Sequence, residues 1–179
     1  MTKSKKIIIS GAGIGGLTAA ACLIQEGYQV RVYEKASELG EIGAGIQTSA
    51  NAVKVLHHIG LAEQLAEVSV KPKAFEFRLF DTGEVMHKVP LADKHETQHG
   101  APYYHIHRSD IHRILADKVL ELDPNAIVLN SKAVGFDEDA NTVTLKLSDG
   151  RRIDGDILIG ADGIKSVIRD QIVGVAEPD

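Results

Sequence analysis

The feature that most constrains the fold is the glycine-rich segment 11–16, Gly-Ala-Gly-Ile-Gly-Gly, which directly follows the apolar run Ile7-Ile8-Ile9. The β-branched residues of this run predict a buried strand over Lys6 to Ser10. After the glycines, apolar residues recur at helical spacing until Gly27, and Tyr28 to Tyr33 alternates like a second strand. Strand, glycine turn, helix and strand within about thirty residues predict a βαβ unit with parallel strands.

Three of these glycines, Gly11, Gly13 and Gly16, match the pattern G-x-G-x-x-G in its correct context between a strand and a helix. In that pattern the first glycine permits a tight turn and the second lets the backbone approach a pyrophosphate. The third lets helix and strand pack closely. The free N–H groups of the first helical turn and the helix dipole then favour an anion. The motif therefore predicts a pyrophosphate-binding turn.

An acidic residue at the end of the second strand strengthens this interpretation. Glu34 lies 18 residues after Gly16, where a carboxylate accepts hydrogen bonds from a ribose diol and repels a 2′-phosphate. The expected ligand therefore contains an ADP moiety without that phosphate. NAD and FAD both satisfy this description, so the amino-terminal segment alone leaves the two cofactors open.

The composition excludes several other classes of function. A net charge of −5, a pI of about 5.9, 4% aromatic residues and no Trp argue against a nucleic-acid partner. No apolar run is long enough to span a membrane. The single cysteine, Cys22, cannot form an internal disulfide and suits the cytoplasm; among alanines it is interpreted as a small core residue. The eight histidines lack metal-ligand spacing, so no metal site is expected.

The segment that discriminates between the cofactors lies near the carboxyl terminus. Ile157 to Ala161 is predicted as a buried strand that delivers Asp162 to its carboxyl edge, Gly163 permits a sharp turn, and a helix is predicted from Ile164 onward. Residues at that edge of a parallel sheet face the ligand crevice. Asp162 is also suited to cap the following helix.

This segment closely resembles the Asp-Gly motif of the class A flavoprotein monooxygenases, the single-component aromatic hydroxylases. Within that family it is most similar to the salicylate hydroxylase and 3-hydroxybenzoate 6-hydroxylase group. Two more segments support the resemblance: residues 41–47 with Asn51-Ala52 resemble the flavin-side loop, and residues 105–112 resemble the segment whose arginine reaches the cofactor. The four motifs occur in family order across the whole chain.

The resemblance implies a set of cofactor-binding residues. The motif glycines would hold the pyrophosphate, Glu34 would bind the adenosine ribose with Lys35 beside it, and Arg108 would approach the phosphates or the ribityl chain. The backbone of Val134 would lie near adenine. Asp162 and Gly163 would serve FAD and the transient nicotinamide cofactor, while Ser166 and Arg169 would brace their turn. In full, the implied residues are Gly11, Gly13, Gly16, Glu34, Lys35, Gly45, Arg108, Val134, Asp162 and Gly163.

The resemblance also implies an activity. In this family NADH or NADPH reduces a tightly but non-covalently held FAD, and a flavin hydroperoxide formed with O₂ hydroxylates a phenolic acid or similar aromatic substrate. The implied fold is α/β: a Rossmann-like FAD-binding domain with a βαβ unit, a parallel sheet and a β-meander. No residue is assigned as an acid–base catalyst.

The family is roughly twice as long as this chain, so residues 1–179 are expected to form a partial, truncated FAD-binding domain. Residues 71–107 would supply a hairpin and loop that join a missing substrate domain. The hairpin, Phe75 to Val89, would then have an uncovered apolar face and free edges, which predicts self-association. Two alternatives remain: an FAD- or ADP-binding fragment without turnover, and an NAD-dependent dehydrogenase domain.

Several local structures are also predicted. Glu38 to Gln47 is expected to be a loop and Leu91 to Pro102 an irregular segment, because neither shows a clear apolar period. Thr48, Ser49 and Asn51 offer caps for the next helix, and Ser109 is expected to cap the helix that ends near Pro124. Three short strands are expected between Ile127 and Leu147.

Overall fold

A computed structural model of the protein describes residues 5–40 and 43–174. These divide into two compact units: residues 5–40 with 112–174 form the first, and residues 43–111 form the second. The strands are β1 (Lys6–Ser10), β2 (Gln29–Tyr33), β3 (Gly45–Thr48), β4 (Ser69–Val70), β5 (Ala74–Arg78), β6 (Val85–Pro90), β7 (Tyr104–His107), β8 (Ile127–Val128), β9 (Ala133–Glu138), β10 (Val143–Leu147), β11 (Arg152–Gly155) and β12 (Ile157–Gly160). The helices are α1 (Ile14–Gln25), α2 (Ala50–His58), α3 (Ala62–Val68), α4 (Ala92–His99), α5 (Arg108–Leu122) and α6 (Val167–Val173).

The first unit is built on a parallel sheet with the strand order β12-β1-β2-β8. The predicted βαβ unit is confirmed, because β1 and β2 pair in parallel from Lys6 with Gln29 to Ser10 with Tyr33, and α1 packs against both strands. The apolar run fills the centre of this sheet, where Ile9 is fully buried. Each side chain of this kind contributes about 1.5–3 kcal/mol when it leaves water.

The predicted β-meander is also confirmed. Strands β9, β10 and β11 form an antiparallel sheet in the order β11-β10-β9. Its inward residues form a cluster with one face of the parallel sheet and with α6; the buried members are Ile8, Tyr33, Phe136, Val143, Leu145, Leu147 and Ile168. Because side chains alternate along a strand, Ile8 faces the meander while Ile7 and Ile9 face the other side of the sheet. The meander thus fixes the parallel sheet from one side.

The second unit contains a three-stranded sheet in the order β3-β7-β4 and the hairpin β5-β6. The hairpin register, with Phe75 opposite Val89, agrees with the hairpin predicted from the alternating pattern. Helix α2 has Ser49 at its N-cap, but among the described residues the Ser49 side chain makes no capping bond, and its hydroxyl instead contacts the Asn51 side chain.

One predicted irregular segment is a helix. Leu91 to Pro102 contains α4, which ends at Gly100 in the left-handed conformation with φ 71°. The prediction was wrong because α4 buries none of its residues and therefore carries no apolar stripe. Half of its eight residues are nevertheless good helix formers, and a glycine just past the helix end is a common stop.

Four further predictions need correction. Glu38 to Gln47 is not all loop, since β3 begins at Gly45 and pairs with β7; Glu41 and Ile42 of that predicted loop lie outside the described residues. Helix α5 begins at Arg108, so Ser109 lies inside its first turn and does not cap it. Helix α6 begins at Val167, after an N-cap at Ser166, and not at Ile164. Strand β12 is only half-buried, with Ile157 38% exposed, because it occupies an edge of its sheet and pairs with β1 alone among the described strands.

Candidate functional site

Three neighbouring strands of the first unit end side by side. Ser10 of β1 pairs with Tyr33 of β2 and with Gly160 of β12. The next backbone groups continue the pairing, as Gly11 N–H donates to the Tyr33 carbonyl at 2.9 Å and Ala161 N–H donates to the Ser10 carbonyl at 2.8 Å. The glycine motif, the residue after β2 and the Asp162 turn therefore begin at one carboxyl edge of the sheet. This is the edge where ligands of open α/β sheets bind.

The glycines at this edge are required by close backbone approach. A Cβ on Gly11 would lie 2.4 Å from the Ala161 carbonyl oxygen, and Gly11 has φ +104°, which disfavours any other residue. A Cβ on Gly16 would lie 2.0 Å from the Gly11 carbonyl oxygen. At Gly15, by contrast, a Cβ would meet no atom within 4 Å. The predicted packing roles of Gly11 and Gly16 therefore have a direct steric basis.

The amino terminus of α1 fits an anion. Gly13 is its N-cap with extended backbone, and the first helical bond runs from Leu17 N–H to the Gly13 carbonyl at 2.9 Å. Within the described residues no side chain caps this end, and the first turn contains no acidic residue. The N–H groups of this turn have no intrahelical acceptors, and the helix dipole adds partial positive charge there. The turn is thus suited to the pyrophosphate of a dinucleotide.

Glu34 supports the turn from the neighbouring strand. Its Oε2 accepts a hydrogen bond from Ala12 N–H at 2.8 Å, and its Oε1 accepts one from Ala36 N–H at 2.9 Å. A carboxylate has about four acceptor positions, so two remain for a ribose diol. The sequence predicted only the ribose role, and the structural role adds to it. Lys35 follows as an exposed side chain.

Asp162 accepts hydrogen bonds from the first turn of α6, as the sequence allowed, although the N-cap position itself is Ser166. Its Oδ1 accepts from the Ser166 hydroxyl at 2.5 Å, and its Oδ2 accepts from Val167 N–H at 2.8 Å and from Ile168 N–H at 3.3 Å. The predicted bracing by Ser166 and Arg169 is confirmed too. Ser166 Oγ accepts from Arg169 N–H at 2.9 Å, and the Arg169 guanidinium donates to the Ile164 carbonyl at 2.8 Å.

Two other predicted residues of the first unit have distinct surroundings. Gly163 has φ +86° and open space around its Cβ position, so the turn after Asp162 leaves room for a ligand. Val134 lies in β9 with 48% of its surface exposed. Next to Val134, Gly135 has φ +149°, and the Gln171 amide bonds both backbone groups of Phe136, at 2.9 Å and 2.7 Å.

In the second unit, the pairing of β3 with β7 brings Gly45 close to Arg108. Gly45 pairs with His107, and Arg108 N–H donates to the Ala44 carbonyl at 3.2 Å. A Cβ on Gly43 would lie 2.7 Å from the Arg108 Cβ, so Gly43 leaves room for the arginine stem. Sequence reasoning missed Gly43, because a glycine in a glycine-rich loop gives no sign of which side chain it faces.

The second unit also contains an aromatic cluster around Tyr103 that the sequence did not predict. The Tyr103 hydroxyl donates to Gln47 Oε1 at 2.8 Å, and its ring contacts Phe75 edge-on at 5.3 Å between centroids. Burial raises the pKa of Tyr103, while burial and the neighbouring His99 lower the pKa of His95. No group of three or more metal-ligating side chains occurs among the residues that the structure describes.

Two residues of the first unit complete the account. Cys22 is half-buried and not a full core residue as predicted, and burial raises the pKa of its thiol. His112 is buried, 4% exposed, with Nε2 at 2.7 Å from the Ala12 carbonyl oxygen, a contact the sequence analysis missed. The sequence signal for His112 was its position on the apolar face of α5, which it shares with Leu115, Ala116 and Val119.

In the described part of the chain, no helix has both the length and the apolar character needed to cross a bilayer.

This fold and this edge define a Rossmann-like α/β domain that binds an adenine dinucleotide. The chain belongs to the FAD binding domain family, which it matches over residues 4–176. It is 42% identical over 168 residues to the 3-amino-4-hydroxybenzoate 2-monooxygenase of Streptomyces cremeus, an alignment that covers 94% of this chain and 42% of the relative. It is 35% identical to the 3-hydroxybenzoate 6-hydroxylase of Polaromonas naphthalenivorans, covering 95% of this chain and 42% of the relative.

A solved structure shows the same likeness in three dimensions. The complex of Klebsiella pneumoniae HpxO with FAD and uric acid superposes with a TM-score of 0.84 at 31% identity, over 97% of this chain and 43% of that chain. The predicted resemblance to an amino-terminal FAD-binding part of a class A aromatic hydroxylase is thus confirmed, and the family match favours FAD over NAD as the resident cofactor. The chain spans less than half the length of these relatives.

Proposed function

We propose that this chain holds FAD within an NAD(P)H-dependent monooxygenase that hydroxylates an aromatic, phenolic-acid-like substrate. The observation that carries the proposal is the meeting of the Gly11 turn and the Asp162 turn at one sheet edge, where Gly11 leaves room only for the Ala161 carbonyl beside it. The names of the relatives support the reaction class, since they act on hydroxybenzoates.

The adenosine and pyrophosphate end of FAD is assigned to the first unit. The turn of Gly11, Gly13 and Gly16 would receive the pyrophosphate, supported by the open amino terminus of α1. Glu34 would accept hydrogen bonds from the ribose diol with the acceptor positions that its two backbone bonds leave over, and Lys35 would lie beside the adenosine. The Val134 backbone would lie near adenine.

The remaining assignments follow from the resemblance. Arg108 would pair with the phosphates or lie along the ribityl chain, where a guanidinium binds phosphate oxygens well, and Gly45 would belong to the flavin-side loop. Both Asp162 oxygens already accept bonds from the start of α6, so we assign the aspartate to shaping the turn. Gly163, with open space around it, would give the closest backbone approach to FAD and to the transient nicotinamide.

When bound, FAD supplies the redox and oxygen-activating chemistry of the reaction. The described residues then bind and orient the cofactor, and none of them is assigned a proton-transfer role. A second candidate function is FAD binding without turnover. The Asp162 contacts favour it, because both carboxylate oxygens accept hydrogen bonds from the start of α6, so the aspartate shapes the turn and is given no catalytic role.

Calorimetric titration tests the proposal. We expect the 179-residue chain to bind FAD with one-to-one stoichiometry and to turn yellow, with no competition from a large excess of NAD⁺. NADH or NADPH oxidation that accelerates when an aromatic acid is added would establish the monooxygenase assignment for the chain itself. Retention of FAD without such acceleration would leave the second candidate. Tight binding of NAD⁺ with no uptake of FAD would overturn both.

We also propose that residues 71–107 belong with a substrate-binding part of a longer protein, and that without it two copies of this chain associate through the hairpin. Every residue of β6 is exposed, and the hairpin presents Phe77 at 58% and Met86 at 67% exposure. Two-stranded sheets are marginal alone, and their free edges pair readily.

The single free Cys22 supports a cytoplasmic location.

Solution scattering across a concentration series checks the association. We expect the molar mass to rise above that of one chain at concentrations above about 10 μM, a range typical of weak interfaces. Phe77→Ser should restore a monomer, whereas Ile172→Ser, which removes a side chain 66% exposed on α6, should not. A wild-type chain that stays monomeric throughout the series would refute the proposal.

A further inference from the structure

We propose that His112 is a positioning residue that sets the Ala12–Gly13 peptide for the FAD pyrophosphate, an inference that rests on the proposed function. His112 is 4% exposed, and its Nε2 lies 2.7 Å from the Ala12 carbonyl oxygen. A carbonyl only accepts hydrogen bonds, so Nε2 carries the hydrogen and donates it. The imidazole therefore holds the carbonyl of the residue between the first two glycines of the motif.

The direction of this bond determines where the next N–H points. The described residues contain no cis peptide bond, and in a trans peptide the C=O and the following N–H point in opposite directions. With the Ala12 carbonyl directed at His112, the Gly13 N–H is directed away from it. Gly13 is the N-cap of α1, so this N–H belongs to the group of donors that the anion would meet.

The neighbouring peptide groups are also fixed. Gly11 N–H donates to the Tyr33 carbonyl at 2.9 Å, Ala12 N–H donates to Glu34 at 2.8 Å, and the Gly13 carbonyl accepts from Leu17 N–H at 2.9 Å. The Ala12 carbonyl, which lies between these groups, has His112 as its partner. The turn is thereby ordered before a cofactor arrives, which removes part of the entropy cost of binding.

Gly13 makes this bond important for the turn. Glycine tolerates many backbone conformations, so the Ala12–Gly13 peptide can rotate if its carbonyl loses its partner. Ala12 is 2% exposed, and a buried carbonyl without a partner is unfavourable, which drives such a rotation. Rotation would turn the Gly13 N–H away from the anion. Loss of the His112 donor is therefore expected to weaken FAD binding more than it weakens the fold.

Calorimetric FAD titration of three variants tests the inference. His112→Leu removes the donor and keeps the apolar contacts, and we expect the Kd for FAD to rise about tenfold, the effect of one lost hydrogen bond. His112→Gln places an amide N–H near the position of Nε2 and should stay within about threefold of the wild type. His57→Leu is the control: it alters a histidine of the second unit whose Nε2 has no partner among the described residues, and it should leave the Kd for FAD unchanged.

A cofactor-free measurement separates this inference from the proposed function. In His112→Leu we expect the NMR signal of the Gly13 amide to shift and the Ala12 amide to exchange at least tenfold faster, with both near wild type in His112→Gln. An unchanged Kd in His112→Leu, even with reduced stability, would mean a purely structural role and would overturn the inference. If the wild type itself takes up no FAD, the proposed function fails, and unchanged Gly13 and Ala12 amides in His112→Leu would overturn the inference independently.

Discussion

Gly16→Ala is expected to lower the free energy of unfolding by about 3 kcal/mol and to weaken FAD binding about a hundredfold. The added methyl would lie 2.0 Å from the Gly11 carbonyl oxygen, which is backbone and cannot rotate away like a side chain. Relief requires α1 to move off β1, with an overpacking cost of typically 1–3 kcal/mol or somewhat more. Urea unfolding of the free chain and calorimetric FAD titration measure the two effects.

Gly15→Ala is the matched control, one residue earlier in the same helical turn. Its Cβ would meet no atom within 4 Å, so no strain is expected. Alanine is the better helix former, and the variant should unfold at a free energy equal to the wild type or about 0.5 kcal/mol higher. If both variants lose the same stability, the close packing of α1 on the Gly11 turn is refuted.

Glu34→Ala should reduce FAD affinity about fiftyfold and the free energy of unfolding by about 2 kcal/mol. The substitution removes the acceptor for the ribose and leaves the N–H groups of Ala12 and Ala36 without their partner. Unpaired buried donors cost about 1–3 kcal/mol each, and two at the lower end of this range give about 2 kcal/mol. Differential scanning fluorimetry with and without FAD checks both values.

Two further variants sharpen this prediction. Glu34→Gln keeps one acceptor oxygen but turns an amide NH₂ toward a backbone N–H, so its loss should lie between those of the wild type and Glu34→Ala. Glu38→Ala removes an exposed carboxylate four residues later and should leave FAD binding unchanged. A Glu34→Ala chain with wild-type FAD affinity would remove Glu34 from the cofactor site.

The amino-terminal fold was predictable because its signals are local and agree with one another. Ile7, Ile8 and Ile9 mark a buried strand, and the glycines that follow mark a turn into a helix. The structure adds the reason for the glycine spacing, which is the approach of Gly11 and Gly16 to other backbone groups. The meander was predictable in part, since β10 alternates in polarity and short turns join it to β9 and β11, whereas β9 does not alternate.

For other elements the sequence carries no usable signal. Helix α4 buries none of its residues fully, so its helical propensity had no apolar period beside it. Strand β12 is apolar in sequence yet half-buried, because its position at the edge of the sheet depends on tertiary pairing and not on composition. Strand β3 is four residues long within a glycine-rich stretch, and only its pairing with β7 identifies it.

The candidate site followed the same division. The glycines and Glu34 were predictable from spacing, and Asp162 from its place after a strand. Ala12 is bonded to Glu34, which lies 22 residues later in the chain, and to His112, which lies 100 residues later. No local pattern reports such contacts. A cofactor motif in the sequence therefore identifies the turn but not the side chains that hold it still.

The pairing of β1 with β12 has a consequence for the order of events during synthesis. Strand β12, which pairs with one side of β1, starts at Ile157, 150 residues after its partner Ile7. At roughly 5–20 residues per second, the ribosome needs on the order of ten seconds to supply it. During that interval one side of Ile7, Ile8 and Ile9 remains an open β-edge in the nascent chain. Until β12 is synthesised, this edge is open to pairing with strands of other chains.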